Sequence, residues 1–371
     1  MTDPLQVQVY DSVTGRHVMR LPYSSARWSG SINEAGSLSV EVDATRMSMG
    51  LGLHERLRPW SVILAVSDGS RILHAGPLTD ISWDAKSRRI SLSAGGGMTL
   101  LTKRLALNSR LASGWQDGVV KTGDDDDPGD YVLHVAGSYP DIVRGLVQET
   151  MLWSPLPIIL PKPEGGTYYR DYYAWDMAYV SDRIQDIIGL QHGPEVRFDP
   201  TLLEDGSMAY KLRARTEIID HRWRWNAAVP GQRVYLEGVD SSGSAMCTQA
   251  YITGGKEDDK TVMARRWIAT DGPLLQYADT GHSTDGDLAS LQDYAMADLT
   301  VGASPQETIK VKASIDYDVH VGDWADLRVE DDWMGEQTLR LKITDIDGGS
   351  DDDWLSLQCS QRGEDDDATS Q

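Results

Sequence analysis

The chain has 371 residues, of which 40% are hydrophobic and 25% charged, and this composition is typical of a folded protein with two or three compact units. Its formal net charge of -22 argues against binding to a nucleic acid, because phosphate recognition requires clustered Lys and Arg. The first residues, MTDPLQ, lack the positive charge and apolar run of an export signal, and no apolar stretch reaches the roughly 20 residues that span a bilayer. We therefore expect no export signal and no membrane insertion by this chain.

Strand patterns dominate both ends of the chain. Apolar residues alternate with polar ones at Leu38, Val40 and Val42, and the same pattern returns at residues 339–343. A period of two is typical of half-buried strands in antiparallel sheets. The sequence therefore predicts a small β-barrel in each terminal third.

The middle of the chain carries helical signals. A Ser138 cap, with an acid three residues on, precedes apolar residues at helical spacing, and a second helix is predicted to begin near Asp176. Two strands joined by a tight turn are predicted within residues 195–215. A third helix, capped by Ser283 or Asp285, is predicted inside the C-terminal third.

These signals predict a mainly β fold with an α+β insertion. Residues 1–107 are assigned to a first β-barrel domain and residues 108–228 to the α+β insertion domain. Residues 229–361 are assigned to a second β-barrel domain with an inserted helical segment, and residues 362–371 to an acidic flexible tail.

An internal repeat links the two ends. Residues 78–81 (LTDI) match residues 343–346 (ITDI) in type, and residues 90–92 match residues 355–357 at the same spacing. The alignment extends upstream to residues that we expect to occupy equivalent positions: Trp60, Ile63 and Ala65 in the first copy and Trp324, Leu327 and Val329 in the second. Collinear matches of this kind favour duplication of one barrel within the chain.

The same segments resemble a known family. WSGSINEAGSLSVEVDA, LRPWSVILAVSDGSRILHAGPLTDI and RRISLSAGGGMTLLTKRL are similar to the first barrel of bacteriophage tail hub proteins, and AYITGG, IKVKASID, HVGDWADLRVED and LRLKITDIDGG are similar to their second barrel. The family includes the hub of contractile tails, the N-terminal part of siphophage tail-associated proteins and the base of type VI secretion spikes. The resemblance covers nearly the whole chain and rests on the order and spacing of patterns.

The resemblance implies a homotrimer in which two homologous barrels per chain form a pseudo-sixfold ring around the DNA channel. Such a protein is a structural tail-tip or baseplate hub in the virion, a minor tail protein assembled in the host cytoplasm. The resemblance places a distal tail protein or the tail tube above the ring and fibre or spike proteins below it. It makes the tape-measure protein a candidate occupant of the lumen, through which DNA would pass without specific binding.

No catalytic, cofactor-binding or metal-binding residue is predicted. Cys247 and Cys359 lie far apart without ligand-type neighbours and are interpreted as free thiols. His282 is interpreted as a solvated or capping group. Residues 345–351 lack the glutamate that closes a calcium loop and are interpreted as a hairpin turn, and Gly95–Gly97 as a site of close backbone packing, not a phosphate cradle.

Two alternatives to a phage hub stay open. The 57 acids and the many Trp and Tyr residues are also compatible with a carbohydrate-binding or carbohydrate-cleaving tail component, although the acids scatter through turns and do not mark two strand ends. The base of a secretion spike shares the expected fold. We expect a protein without enzymatic activity. The acidic loops at residues 124–127 and 351–353 are candidates to face the channel, and solvation on the outer surface is the alternative for each loop.

Overall fold

The computed structural model describes residues 5–115, 117–120, 131–190, 192–229, 231–257, 259–282 and 288–361. The acidic run at residues 124–127, the acidic tail and the predicted cap at Ser283 or Asp285 lie outside the described residues. Among the helices of the described ranges, none is long and apolar enough to cross a membrane.

Strands provide most of the regular structure. The first third contains β1 (Gln6–Asp11), β2 (His17–Leu21), β3 (Ser25–Ser31), β4 (Ser37–Asp43), β5 (Val62–Ser67), β6 (Ile72–Asp84) and β7 (Arg89–Gly95). The middle contains β8 (Val132–Gly137), β9 (Ile158–Ile159), β10 (Tyr168–Tyr173), β11 (Glu195–Leu202), β12 (Met208–Arg215) and β13 (Arg222–Asn226). The last part contains β14 (Val234–Ser242), β15 (Gln249–Glu257), β16 (Lys260–Trp267), β17 (Gln276–Asp279), β18 (Gln306–Ser314), β19 (Trp324–Asp331), β20 (Gly335–Gly349) and β21 (Trp354–Gln361).

The helices are fewer and lie mostly in the insertions. They are α1 (Arg46–Met49), α2 (Leu53–Arg56), α3 (Tyr139–Trp153), α4 (Val180–Ile188) and α5 (Leu288–Gly302). Short 3-10 helices span Gly97–Leu101, Ser109–Ser113 and Ala174–Asp176.

The two terminal parts of the chain share one 13-stranded sheet. Its order is β14-β18-β21-β20-β3-β4-β7-β6-β5-β1-β2, with β19 on the other side of β20 and β13 beside β19. Apolar side chains from both parts form a single contiguous core that runs from Val7 to Cys359 in sequence. The expected mainly β fold is therefore confirmed.

The expected pair of closed barrels is not observed, because no sheet closes on itself within the described ranges. The edge strand β3 of the first part pairs instead with β20 of the second part, from Asp345↔Ser31 to Gly349↔Arg27. Alternating apolar residues determine which face of a strand is buried, but they do not determine which edge finds a partner. The pairing of β3 with β20 thus turns two units into one extended sheet.

The internal repeat is visible in the strand order. The first part pairs its strands in the order β3-β4-β7-β6-β5, and the second part uses the same order with β14-β18-β21-β20-β19. The paired residues correspond one to one: Leu78↔Ala94, Asp80↔Ser93, Ile81↔Leu92 and Ser82↔Ser91 in the first copy, and Ile343↔Cys359, Asp345↔Gln358, Ile346↔Leu357 and Asp347↔Ser356 in the second. The two copies therefore match in topology and in register.

A bulge at a threonine is also repeated. Thr79 in β6 and Thr344 in β20 each mark a shift of register against the next strand. The Thr79 hydroxyl donates to the carbonyl of Ser93 at 3.0 Å, and the Thr344 hydroxyl donates to the carbonyl of Gln358 at 3.1 Å. Bulges bend a strand and are conserved features of a fold, so this shared detail supports duplication more strongly than the sequence match alone.

The expected equivalence of Trp60 and Trp324 is wrong. The backbone N–H of Trp60 donates to the carbonyl of Leu78 at 2.7 Å, whereas the N–H that donates to the equivalent carbonyl, that of Ile343, belongs to Gly322. Trp60 and Gly322 both have positive φ, 66° and 93°. The structural counterpart of Trp60 is thus Gly322.

The residues downstream of Trp60 are misaligned for the same reason. Ile63 and Ala65 point into the core of the insertion module, whereas Leu327 and Val329 point into the core of the large sheet. An odd shift along a strand moves every side chain to the opposite face. The pairs Ile63↔Pro77 and Trp324↔Lys342 occupy equivalent places in the two copies, so the counterpart of Ile63 is Trp324 and not Leu327.

The insertion module follows its sequence signals closely. The Ser138 hydroxyl accepts the Asp141 N–H at 3.2 Å, and the Asp141 carboxylate accepts the Ser138 N–H at 3.3 Å, which forms the expected capping box. Ile142 and Leu146 of α3 are fully buried against a core that includes the three-stranded sheet β11-β12-β9. The two predicted strands are confirmed as β11 and β12.

The second helix begins later than predicted. Asp176 ends a 3-10 turn, and Met177 has a left-handed φ of 48° and an exposed side chain. An α-helix cannot pass through a residue in that conformation, so α4 begins at Val180. Val180, Ile184 and Ile187 are buried as expected.

A small module is inserted before β18. The sheet β16-β15-β17 packs against α5, which confirms the predicted third helix. Leu291, Ala295 and Leu299 form its buried face, while Leu288 is exposed.

Candidate assembly interface

The junction between β20 and β3 is a built interface between the two halves of the repeat. The Ser31 hydroxyl donates to Asp345 Oδ1 at 2.5 Å, and the Ala26 N–H donates to the Ser350 hydroxyl at 2.9 Å. Trp28 packs closely over Gly348, where an added Cβ would lie 2.3 Å from the indole ring. Backbone pairing, side-chain hydrogen bonds and a large residue fitted over a glycine thus hold the halves together.

This junction also corrects one expectation from the sequence. Residues 345–349 continue β20 and pair with β3, so the segment is a strand, and the chain turns only after Gly349. Burial and the nearby charge of Asp345 raise the pKa of Asp347. The acids at the start of the segment therefore belong to a strand interface.

The repeat leaves two edges free that correspond to this junction. The counterpart of the paired end of β20 is Asp80–Asp84 at the end of β6, and in the described ranges this segment pairs with β7 alone. The counterpart of β3 is β14, which pairs with β18 and with no other strand of the described residues. Each half therefore has one edge of the β3 kind and one of the β20 kind. Within the described residues, β3 and β20 are joined to each other, whereas their counterparts β14 and the end of β6 are not.

The free end of β6 carries exposed apolar side chains. Ile81 is 39% exposed and Trp83 is 49% exposed. Unpaired strand edges with apolar residues are templates for pairing with another chain unless charges or bulges protect them. This edge has the composition of an interface strand.

A second exposed surface lies on the insertion module, on the outer face of the two-stranded sheet β10-β8. Tyr169 stacks on His134 with 5.7 Å between ring centroids, and Tyr173 stacks on Trp175 at 5.0 Å. Asp171 lies between the two tyrosines along β10 and contacts His134 Nδ1 at 2.5 Å. We call these residues the aromatic face.

The other residues that the sequence singled out have structural roles. Cys247 and Cys359 are buried free thiols, as predicted. His282 stacks on Tyr294 at 3.8 Å and contacts Asp279 at 3.1 Å. A Cβ added to Gly95 or its two successors would meet atoms at 2.5 Å or closer, which confirms close packing at this glycine run.

Solved structures with the same architecture cover almost the whole chain. The 43 kDa tail protein of prophage MuSo2 from Shewanella oneidensis is 10% identical, with a TM-score of 0.55 over 96% of this chain and 98% of that one. A tail protein from Neisseria meningitidis is 14% identical, with a TM-score of 0.52 over 97% of both chains. The chain has the fold of phage tail proteins.

The tail-protein fold extends beyond phages. A component of the type VI secretion system of E. coli, described as structurally similar to bacteriophage T4 tail proteins, is 10% identical, with a TM-score of 0.50 over 97% of this chain and 77% of that one. No family model and no curated protein sequence matches the chain. The likeness at these identities is one of fold.

Proposed function

We propose that the chain is a structural hub of a phage tail tip or baseplate, without enzymatic activity, which assembles as a homotrimeric pseudo-sixfold ring. One observation carries the proposal. The intrachain β3–β20 junction has an unpaired equivalent at β14 and β6, so β14 of one copy can pair with β6 of the next as β3 pairs with β20. Three chains with two such junctions each would give a ring of six similar units.

The repeat specifies the register of the proposed contact between copies. The strand pairings of the two copies match, so each residue of β3 has an equivalent in β14 and each residue at the end of β20 has one in β6. Replacing the residues of the β3–β20 junction by these equivalents gives the expected partners Trp83↔Val239, Asp84↔Gly238, Ser82↔Asp240, Ile81↔Ser241 and Asp80↔Ser242. Like charges directly opposite each other destabilise a sheet. Each acid in this register faces Ser or Gly, so the pairing is electrostatically compatible.

The bulky residue changes strands between the two junctions. In the intrachain junction Trp28 of β3 covers Gly348 of β20. In the proposed junction Trp83 of β6 lies directly opposite Val239 of β14, and residues that lie opposite each other in a sheet share a face. The Trp83 ring would therefore pack beside Val239.

The proposed ring would join sixfold tail-tube or distal-tail parts above to threefold fibre or spike parts below, around the channel for DNA. A duplicated unit in a trimer supports both symmetries, because each chain offers two similar surfaces on one side and one unique surface on the other. The base of a secretion spike is the same architecture in another assembly. The gene neighbourhood separates these two settings.

The test is the copy number in the assembled tail. We expect a tail-tip reconstruction, or native mass spectrometry of the tip complex, to show three copies of this chain around the channel. One, two or six copies per tip would overturn the proposal. A purified monomer is compatible with it, because neighbouring proteins can complete the contacts.

The aromatic face favours a second candidate function, binding of a carbohydrate. Exposed tyrosine and tryptophan rings with a carboxylate–imidazole pair between them can stack on sugar rings and hydrogen-bond their hydroxyls. We expect soluble cell-wall glycan fragments to quench the fluorescence of Trp175 if the face binds sugars, and Trp175→Phe to remove that signal. No change at saturating fragment concentration would reject this second function and leave the hub proposal unaffected.

A further inference from the structure

Three potential ligands for a metal ion meet where the chain leaves the insertion module. His221 lies directly before β13, and His320 and Asp323 lie in the loop before β19. Parallel pairing of β13 with β19, beginning at Arg222↔Trp324, brings the two loops together. One ligand atom from each of the three residues lies within 4.8 Å of the other two.

The two imidazoles have unused nitrogens. Nδ1 of His221 and Nδ1 of His320 are buried atoms that form no hydrogen bond within the described ranges. A buried polar atom without a hydrogen-bond partner destabilises the folded chain. A ligand that both nitrogens can coordinate would remove this destabilisation.

The spacing fits a tetrahedral ion. Nδ1 of His221 lies 3.4 Å from Asp323 Oδ2. Ligand atoms bound at about 2.0–2.1 Å to a tetrahedral zinc ion are roughly 3.3 Å apart. The rings of His221 and His320 lie nearly parallel, with 5.9 Å between their centroids.

The carboxylate is held in place and lacks a cationic partner of its own. Asp323 is fully buried and accepts the N–H groups of Asp220, His221 and His320 and the Nε1–H of Trp223, at 2.8 to 3.2 Å. In the described part of the chain it pairs with no Lys or Arg. The four N–H donors stabilise the ionised carboxylate, and its Oδ2 is the oxygen that lies nearest to Nδ1 of His221.

The outer contacts also resemble those of a metal site. Asp318 Oδ1 lies 3.7 Å from Nε2 of His320, on the side of the ring opposite to Nδ1. Metal-binding histidines usually donate the N–H of their second nitrogen to a carboxylate, a backbone carbonyl or water, which fixes the tautomer. Asp318, which also pairs with Arg71, is the nearby carboxylate here.

We propose that His221 Nδ1, His320 Nδ1 and Asp323 Oδ2 bind one divalent transition metal ion of the zinc class, with water at the fourth position. Imidazole donors favour zinc and its neighbours over magnesium or calcium. The partly exposed rings of His221 and His320 leave a route for the ion. The ion would fasten the exit of the insertion module to the start of β19.

The test uses the full chain, freed of affinity tags and treated with a chelator. We expect one Zn2+ per chain by native mass spectrometry, and a cobalt complex with the visible absorption of a tetrahedral site. His221→Ala and His320→Ala should each weaken Zn2+ binding by about 100-fold or more, and Asp318→Asn by roughly 10- to 100-fold. His54→Ala, at an exposed histidine in α2, is the matched control and should bind like the unmodified protein.

Circular dichroism of each variant separates loss of the ligand from loss of the fold. Absence of the cobalt band and of bound Zn2+ in the folded, unmodified chain would overturn the proposal. So would undiminished Zn2+ binding by a folded His221→Ala, His320→Ala double variant.

Discussion

A buried cluster of charges joins the insertion module to the second half of the repeat. The buried Arg197 pairs with Asp199 and Asp220. Arg213 also pairs with Asp220, with 2.7 Å between a guanidinium nitrogen and Oδ1. Burial alone would raise the pKa of Asp220, but the two guanidinium groups outweigh it and lower that pKa to about 2. The ionised form of Asp220 therefore stabilises the folded state.

The stability of the chain should fall in acid because of this residue. A carboxylate whose folded pKa is about 2 and whose ordinary value is 3.8 stabilises the fold above about pH 4, and this contribution disappears as the pH falls towards 2. We expect Asp220→Asn to lower the free energy of unfolding by about 2 kcal/mol at pH 7 and to flatten the loss between pH 4 and pH 2. Urea titrations across this range measure both effects.

The matched control is Asp332→Asn, at an exposed acid in the turn between β19 and β20. It should leave both the stability at pH 7 and the acid profile unchanged. An Asp220→Asn protein with the acid profile of the unmodified chain would show that the ion pairs with Arg197 and Arg213 do not stabilise the fold.

Assembly of the proposed ring depends on one element above all, the end of β6, which would pair with β14 of a neighbouring copy. Trp83 is half exposed in the single chain and would be covered by β14 of a neighbouring copy. Buried tryptophans are frequent hot spots, at about 2 kcal/mol or more each. We expect Trp83→Ala to weaken association between copies by roughly 30-fold per contact without changing the stability of the monomer.

Trp333→Ala provides the matched control, since Trp333 is 90% exposed in a hairpin turn away from the proposed edge. Sedimentation equilibrium at high concentration compares the two variants with the unmodified chain. Equal self-association of all three proteins, under conditions in which the unmodified chain forms oligomers, would place the interface elsewhere.

The sequence predicted most of these elements but not how their edges combine. Alternation at Leu38 and Val40 and the capping box at Ser138 identified a strand and a helix correctly, because local burial and capping decide both. The repeat was recognisable from the LTDI and ITDI segments, since the threonine of each lies at the same bulge and makes the same hydrogen bond. Trp60 was misaligned because the hairpin that joins Trp324 to its partner Lys342 is longer than the hairpin that joins Ile63 to Pro77, and a difference in hairpin length leaves the alternating pattern unchanged.

The candidate sites were much harder to predict. The edges of β6 and β14 became candidates only because their equivalents in the repeat, β20 and β3, pair with each other. No type of residue in β6 or β14 indicates such a pairing. His221 lies 102 positions before Asp323, so only the parallel pairing of β13 with β19 brings them together. The local His320 and Asp323 spacing was a possible signal, but without His221 it resembles an ordinary loop.

For the whole molecule, the net charge bears on how the ring would handle DNA. Each chain carries a formal charge of -22, so a trimer would be strongly acidic, and a channel for DNA should repel phosphate weakly and not retain it. We expect the purified protein to retain no double-stranded DNA at low salt in a gel-shift assay. Tight binding that weakens as salt is added would show a basic lumen and contradict this view.

The most direct test of the account is disulfide trapping of the proposed contact in assembled tails. Ser82→Cys combined with Asp240→Cys, and Ile81→Cys combined with Ser241→Cys, place thiols on residues expected to lie opposite each other between copies. In an antiparallel pair, adjacent positions alternate between close and wide spacing, so one of the two combinations should meet the geometry of a disulfide. Native Cys247 and Cys359 are buried and should not interfere.

After oxidation, we expect bands of two and three linked chains, and none larger, on a non-reducing gel. The single-cysteine variants and the shifted pair Ser82→Cys with Ser242→Cys should remain at one chain. Absence of linked chains for both matched pairs, or a ladder that continues beyond three, would contradict a closed trimer joined by β14 and β6.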